Sequence, residues 1–448
     1  MKIYRIDPKL DKLIQSNLKE IGMLIRKLRN EKGLRLVDIG DLQASTSTIS
    51  NLERSKGNHK SETAVHLFDK LGVPAEDIPT FLEGEWASTY LIDFQLQSTE
   101  AFLKLGQTDK ALHELEQIEI YDFHYLAPKY YYLNGRCMKD KRQWDRAEYF
   151  FRHAIDLLVD AIKDDNIEAA CYLELAYSKH HNNDLAEALD LTNKGICSFV
   201  SGGDRQHNFY TLLLNKAILC SKLNLYAEGT LALNQLESSL DLIKNPNTTM
   251  KYYWLKAEYA KKHGNTEEAM LYAEKGLELA GFSHSFTMFM EFWLWIGDCL
   301  ASLGKFSEAE IRFKKALEFE HNMIETSSII SANLRLGSLY LKEKMWDKAE
   351  PFATTARELA MVQNDAPNLF ASLILSGDIE NGMSSNHVKA IRYYEHAQVI
   401  ARRHHYKELE IQAWTQLAKC WENVDLEQFQ YCAGQAFKLQ NSAILKGD

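Results

Sequence analysis

A pattern of small residues that returns every forty or so positions constrains this chain more than any other feature. From about residue 85 onward, a small residue is followed twelve positions later by Ala or Gly. An aromatic or small residue comes four positions further on, and another small residue three beyond that. In "YYLNGRCMKDKRQWDRAEYFFRHA" these are Gly135, Ala147, Phe151 and Ala154. "FWLWIGDCLASLGKFSEAEIRFKKA" supplies Gly297, Ala309, Phe313 and Ala316, and "NLRLGSLYLKEKMWDKAEPFATTA" supplies Gly337, Ala349, Ala353 and Ala356. Looser copies pass through Ala176 and Ala188, Ala217 and Gly229, Ala257 and Ala269, and Gly377 and Ala390. The second small residue falls at 111, 147, 188, 229, 269, 309, 349 and 390, so every interval after the first is 40 or 41 residues.

Such a period marks a stack of similar units, each too small to bury its own apolar face and stabilised by its neighbours. Small residues let two antiparallel helices approach closely, and turn segments such as "LGK" and "HGN" separate the helices. Only 7 Pro and 22 Gly occur in 448 residues, which suits helix throughout. The order of Trp293, Ile296, Gly297, Ala309, Phe313 and Ala316 resembles the tetratricopeptide repeat, with a longer period and most of its unit-ending prolines missing. The expected fold is therefore all-α, with a right-handed α-solenoid of tetratricopeptide-like helix pairs in eight or nine repeats.

The first eighty residues read differently. "LKEIGMLIRKLRNEKG" places Leu18, Ile21, Leu24, Ile25 and Leu28 on one helical face, and Gly33 ends it. "LRLVDIGDL" reads as a second short helix with Val37, Ile39 and Leu42 apolar. "STSTISNLERSKGN" follows, and "SETAVHLFDKLGVP" makes a fourth helix closed by Gly72 and Pro74. Short helices joined by tight turns fit a helix-turn-helix domain. Ile25, Arg29, Gly33, Leu34, Ile39, Gly40, Ile49, Ser50, Leu52 and Glu53 resemble the anchors of the Cro/repressor-type family. Leu36 stands where that family usually has a phosphate-contacting Gln, and the turn before Ser45 is one residue short. The shortened turn resembles that of peptide-pheromone receptors of Gram-positive bacteria.

The resemblance implies that the "STSTISNLER" helix enters the major groove. Ser45, Thr46, Ser47, Thr48 and Asn51 suit that role, because hydroxyls and amides at a helix N-terminus reach phosphate oxygens and base edges. Arg26 and Arg29 on the preceding helix, and Arg54, Lys56, Asn58 and Lys60 after the reader, are the expected remaining contacts to DNA. Charge agrees with this division. Residues 1–80 hold 14 basic against 11 acidic side chains, while the whole chain carries a net charge of −10. The expected organisation is an N-terminal extension (1–17), a helix-turn-helix domain (18–80), a linker (81–90), the solenoid (91–440) and a short tail (441–448).

Other function classes find no support. No phosphate-binding glycine loop, HExxH or GxSxG occurs, so no enzyme, cofactor or metal is expected. The adjacent pairs His180/His181 and His404/His405 diverge by about 100° on a helix, which does not make a two-ligand metal site. Seven scattered cysteines contain no CxxC and read as reduced thiols of a cytoplasmic protein. "MKIYRIDPKLDKL" lacks the apolar core of a signal peptide, and the most apolar stretch, 286–304, is interrupted by Glu291 and Asp298.

On each first helix of a repeat, the residue after the small one, with those four before and three after, is expected to face the inner wall. Candidate peptide contacts there are Arg136, Tyr177, Trp254, Glu258, Asp298, Ser338, Asp378 and Asn381. Asn215, Trp295 and Arg335 are slightly offset from them. Amides and carboxylates can hold an extended backbone, and aromatics can form side-chain pockets. A shortened helix-turn-helix followed by long tetratricopeptide units is similar to the Rap/Rgg/NprR/PlcR/PrgX (RRNPP) group. That resemblance implies a quorum-sensing transcription regulator gated by a short oligopeptide and acting as a homodimer on double-stranded DNA with a pseudo-palindromic operator. The alternative is an adaptor whose solenoid captures a protein partner such as a response regulator.

Overall fold

The computed structural model describes residues 6–158, 164–182, 184–318, 326–383, 387–404, 406–422 and 424–444. His405 of the second histidine pair lies outside the described residues, as do the first five and last four positions. The described elements are helical, and the chain packs as two compact units, Met1–Leu225 and Tyr226–Asp448.

In the first unit, α1 (Pro8–Ser16), α2 (Leu18–Glu31), α3 (Leu36–Ile39), α4 (Thr46–Glu53) and α5 (Ser61–Lys70) enclose one core. The expected second and third helices of the helix-turn-helix are α3 and α4. Between α2 and α4 the backbones touch: a Cβ on Gly22 would overlap the carbonyl of Leu52. Two expectations change here. The presumed extension carries α1, whose Ile14 is fully buried in this core and whose Asp11 accepts a hydrogen bond from the Ser61 hydroxyl. The expected second helix is cut to the single turn of α3, with Ile39 buried and Leu36 half-buried against the core, and its other apolar residues Val37 and Leu42 are exposed.

A 27-residue helix, α6 (Ile78–Lys104), follows. The expected linker at 81–90 lies inside it. The segment contains no proline or turn pair to stop a helix, and Ile78 and Leu82 anchor its start in the preceding core. Helix α6 pairs with α7 (Thr108–Glu116), α8 (Ala127–Asp140) with α9 (Trp144–Leu157), and α10 (Ile167–His181) with α11 (Leu185–Ser198); α12 (His207–Lys222) closes the unit.

The second unit begins with α13 (Tyr226–Glu237) and continues in five pairs. These are α14 (Pro246–Lys262) with α15 (Thr266–Phe282), α16 (Phe286–Ser302) with α17 (Phe306–Glu318), α18 (Thr326–Lys342) with α19 (Trp346–Val362), α20 (Ala366–Met383) with α21 (His387–Arg403), and α22 (Lys407–Trp421) with α23 (Leu426–Ile444). The last helix runs into the expected tail. Each unit thus stacks tetratricopeptide-like pairs, in agreement with the forty-residue period.

The small residues sit where two helices cross. Ala111, Ala147, Ala188, Ala269, Ala309, Ala349 and Ala390 are all buried, as are their earlier partners Gly135, Ala176, Ala217, Ala257, Gly297, Gly337 and Gly377. A Cβ on Gly135 would lie 2.6 Å from the Phe151 ring, and glycines 297 and 377 face Phe313 and Tyr394 in the same way. Helical Gly434, by contrast, has nothing near its absent Cβ. Gly297→Val is therefore expected to lower unfolding free energy by about 1–3 kcal/mol through overpacking against Phe313. Gly434→Ala should raise it by about 0.5–1 kcal/mol. Denaturant titration followed by circular dichroism compares the two; equal effects would remove the interlock as their explanation.

Candidate DNA-reading face and helix-pair cavity

Helix α4 begins at Ser45, whose Oγ accepts the Thr48 backbone N–H at 3.2 Å and lies 2.8 Å from Ser47 Oγ and 2.9 Å from Thr48 Oγ1. This cap orders a cluster of hydroxyls at the helix start. Ile49 and Leu52 point into the core with no exposed surface, so the helix turns Ser45, Thr46, Ser47 and Asn51 to solvent, with Thr48 half-buried beside them. Arg54, Lys56, Asn58 and Lys60 are exposed on the segment that follows. The expected reader and its trailing basic side chains thus form one open face.

Two of the expected DNA contacts, Arg29 and Arg26, have partners within the protein. Arg29 grips Glu53 through Nε and Nη2 at 2.7 and 2.8 Å and donates from Nη1 to the Leu34 carbonyl at 2.7 Å. Its hydrogen bonds with Glu53 raise its pKa, and the pair ties α2 to the end of α4. Arg26 turns the other way, with its guanidinium 4.7 Å from the centre of the Phe123 ring.

The turn before α4 is held by Asp41, which the sequence reading did not single out. Its Oδ1 accepts the N–H groups of Gln43 and Ala44 at 2.8 and 3.0 Å, and its Oδ2 meets Lys70 at 2.6 Å and His66 at 2.8 Å. The Lys70 ammonium, helped by these N–H donors and His66, holds the Asp41 carboxyl well below the usual carboxylate range. A carboxylate two residues before a backbone N–H is a turn signal, but its tie to α5 exists only in three dimensions.

The α2 face away from the reader meets α6 and the segment 118–126. Lys27 pairs with the buried Glu85 at 2.8 Å, and Lys19 lies 3.7 Å over the Tyr125 ring. Between them His124 is buried. Its Nδ1 accepts the Leu126 N–H at 3.1 Å, which leaves Nε2–H to donate to Thr89 Oγ1 at 3.3 Å. Burial, opposed by Glu85 and reinforced by Lys19 and Lys27, lowers the His124 pKa to about 4.

The expected peptide contacts divide between the two units. In the first unit, Arg136 lies 3.6 Å from Glu174, which also binds Lys139 at 2.6 Å, and Lys139 reaches over the exposed Tyr177 ring. Asn215 is half-buried on α12. In the second unit, the Trp254 and Trp295 rings meet edge to face at 6.1 Å, with the Lys261 ammonium 4.9 Å from the Trp295 ring centre. Glu258 is half-buried one turn along α14. Asp298, Arg335 and Ser338 line one cavity of about 290 Å³, together with Ser331, Lys342 and Asn368. Asp298 Oδ2 accepts from Arg335 Nε at 2.9 Å across it. Asn368 was not anticipated because it lies in the first turn of α20, well before the small residue that set the inner-wall register. Asp378 is half-buried and accepts the Tyr394 hydroxyl at 2.6 Å within its own helix pair, and burial raises its pKa. Asn381 is exposed and bonds to His387 at 2.6 Å.

A comparison with models of known protein families found no match. An HTH-type transcriptional regulator, DdrOP3 of Deinococcus deserti, is 28% identical over 133 residues, which are 30% of this chain and 95% of that protein. Among solved structures, a Rap protein complexed with competence and sporulation factor matches with a TM-score of 0.56 at 14% identity, covering 80% of this chain and 98% of that one. The apo form of the quorum sensor NprR from B. thuringiensis matches with a TM-score of 0.54 at 15% identity, covering 75% and 95%. The fold is the all-helical one that Rap proteins and NprR share, as the sequence resemblance to the RRNPP group implies.

His124 gives the joint between reader and repeats a pH dependence. An unfolded histidine titrates near 6.5, so between about pH 6.5 and pH 4 the unfolded chain binds a proton that the folded ring refuses. Stability conferred by neutral His124 is present above that window and falls with pH through it, by up to about 1.4 kcal/mol per unit. His124→Gln should flatten this slope in melting temperatures recorded from about pH 7 to pH 4; an unchanged slope would remove His124 as its source.

Proposed function

We propose that this protein is a transcription regulator of the RRNPP group that binds double-stranded DNA through α4 and is gated by a short signalling peptide bound among its helix pairs. It acts in the cytoplasm as a homodimer and catalyses no reaction of its own. The observation that carries the reading is the open face of Ser45, Thr46, Ser47, Thr48 and Asn51, followed by Arg54, Lys56, Asn58 and Lys60. Its backing residues, Ile49, Leu52 and the Arg29–Glu53 pair, hold the helix rigid while leaving that face uncovered. Among the described residues, no group of three or more His, Cys, Asp or Glu side chains could hold a metal ion, and no helix is long and apolar enough to cross a membrane.

The cavity between α16, α18 and α20 supports a peptide ligand. Asp298 and Arg335 offer opposite charges at 2.9 Å, and Ser338 and Asn368 add an O–H donor and an amide that can both donate and accept. Gating requires the peptide to bind one conformation of the regulator more tightly than the other, so that its differential affinity shifts the reader.

Selection of sites from a random DNA pool by the full-length protein, with and without small peptides from cell lysate, tests both halves. The expected result is an enriched two-fold symmetric site whose recovery changes when peptide is added. Thr48→Ala or Asn51→Ala should relax sequence preference, while Lys56→Ala should weaken binding to all sequences and reduce the salt slope by about one. Arg335→Ala should leave site selection intact and abolish the peptide response. Absence of any enriched site would sink the DNA-reading half; operator affinity unaffected by every peptide that binds would sink the gating half.

A further inference from the structure

Helix α6 is apolar on two opposite faces. One face, through Ile78, Leu82, Ile92, Leu96, Thr99 and Leu103, is buried within the first unit. The other is exposed: Tyr90 is 71% accessible, Leu91 60% and Phe94 61%, with exposed Ala87 and Ala101 in the same row and Leu105, 70% accessible, just beyond the helix. Positions 87, 91, 94, 98, 101 and 105 alternate steps of four and three, so they lie along one side of the helix, with the half-buried Ser98 between Phe94 and Ala101. Six of the exposed large apolar side chains of the described chain fall between Phe81 and Leu105. A stripe of this kind on the surface marks an interaction site.

The stripe has a centre. Phe94 stands midway between Ala87 and Ala101, and midway between Glu83 and Leu105. Small residues at equal distances on either side of a ring are what a helix needs to lie against a reversed copy of itself. Each Phe94 then meets its counterpart near the two-fold axis, and the alanines let the backbones approach around it. The charges agree with the same direction. Glu83 lies at one end, and Lys104, 66% exposed and only 3.5 Å-paired to Glu100, lies at the other. In a reversed pair, Glu83 of one copy falls beside Lys104 of the other at both ends. In a parallel pair each residue lies level with its own counterpart, so Glu83 and Lys104, about 32 Å apart along the helix, cannot meet. The span from Glu83 to Lys104 is about 32 Å, or about three heptads.

We propose that the Ala87–Leu105 stripe is the seam of a symmetric dimer, with α6 of a second copy lying antiparallel across it. The inference rests on the homodimer reading above and names its surface. Because Ile78 and Leu82 at the start of α6 are part of the helix-turn-helix core, the seam fixes where each reader stands relative to the two-fold axis.

Sedimentation velocity of the full-length protein measures the consequence. The wild type is expected to sediment as a dimer, and Phe94→Glu to raise the dimer dissociation constant by at least about tenfold while retaining the wild-type circular dichroism and melting profile. Glu83→Lys should weaken the dimer, and adding Lys104→Glu to it should restore association. Cross-linking reads the direction on a Cys197→Ser background, which removes the exposed native thiol. Phe94→Cys alone, and Ala87→Cys combined with Ala101→Cys, should form intermolecular disulfides; Ala87→Cys alone should not. A monomeric wild type would overturn the homodimer reading together with the seam. A dimer untouched by Phe94→Glu, or cross-linked by Ala87→Cys alone, would overturn the seam and leave dimerisation standing elsewhere.

Discussion

Both units depend on close approach between a residue with little or no side chain and the ring or aliphatic group opposite it. Gly135 against Phe151, Gly297 against Phe313 and Gly377 against Tyr394 repeat one contact, in which the missing Cβ is the space that the ring fills. The contact fixes how near the two helices of a pair lie and at which position along their length they cross. Once crossing is set for one pair, the next first helix is placed by the same contact, so the architecture follows from one local rule applied many times. Where the rule is met by Leu375 beside Gly337, or by Tyr259 beside Gly229, the ring or branched side chain comes from the first helix of the following pair, yet the small residue still marks a point of close approach.

The helix-turn-helix portion uses the same device once, at Gly22 against the Leu52 carbonyl, and adds electrostatic ties. Arg29 with Glu53 holds the end of α4 to α2, while Asp41 with Lys70 and His66 holds the shortened turn to α5. Helix α3 is a single turn and Val37 and Leu42 are exposed, so α4 is supported from α2 and from Asp41 more than from its preceding helix. A rigid reader with a hydroxyl-rich open face results. Its other side is joined to the repeats through α6 and the 118–126 segment, where Lys27, Glu85 and the neutral His124 meet.

Much of this was legible in the chain. The period of 40 or 41 residues announced the helix pairs, and the spacing of Ile49 and Leu52 announced which side of α4 is buried. The exposure of Ser45 to Ser47, Asn51, Arg54, Lys56, Asn58 and Lys60 agrees with the periodicity that buries Ile49 and Leu52. Arg26 and Arg29 did not follow it, because a basic side chain on a helix next to the reader looks the same in sequence whether it faces phosphate, a buried carboxylate or a ring. The inner-wall register placed Asp298, Arg335 and Ser338 around one cavity, but it missed Asn368 and did not foresee the Tyr394 hydroxyl on Asp378. Distance along the chain from the small residue says which face a side chain occupies, and not which neighbouring helix answers it.

The sequence by itself therefore determined the all-helical class, the forty-residue repeat and the buried side of α4. All of these are properties of residue spacing within one element or of a repeat between identical elements. Only the tertiary structure decided that residues 81–90 continue a 27-residue helix, that Ile14 belongs to the first core, and that Arg29 serves Glu53. Those outcomes depend on partners 24 or more residues away, as Arg29 is from Glu53 and Ser61 is from Asp11. Pairwise contacts between dissimilar elements leave no period in the sequence, so nothing short of the folded chain reveals them.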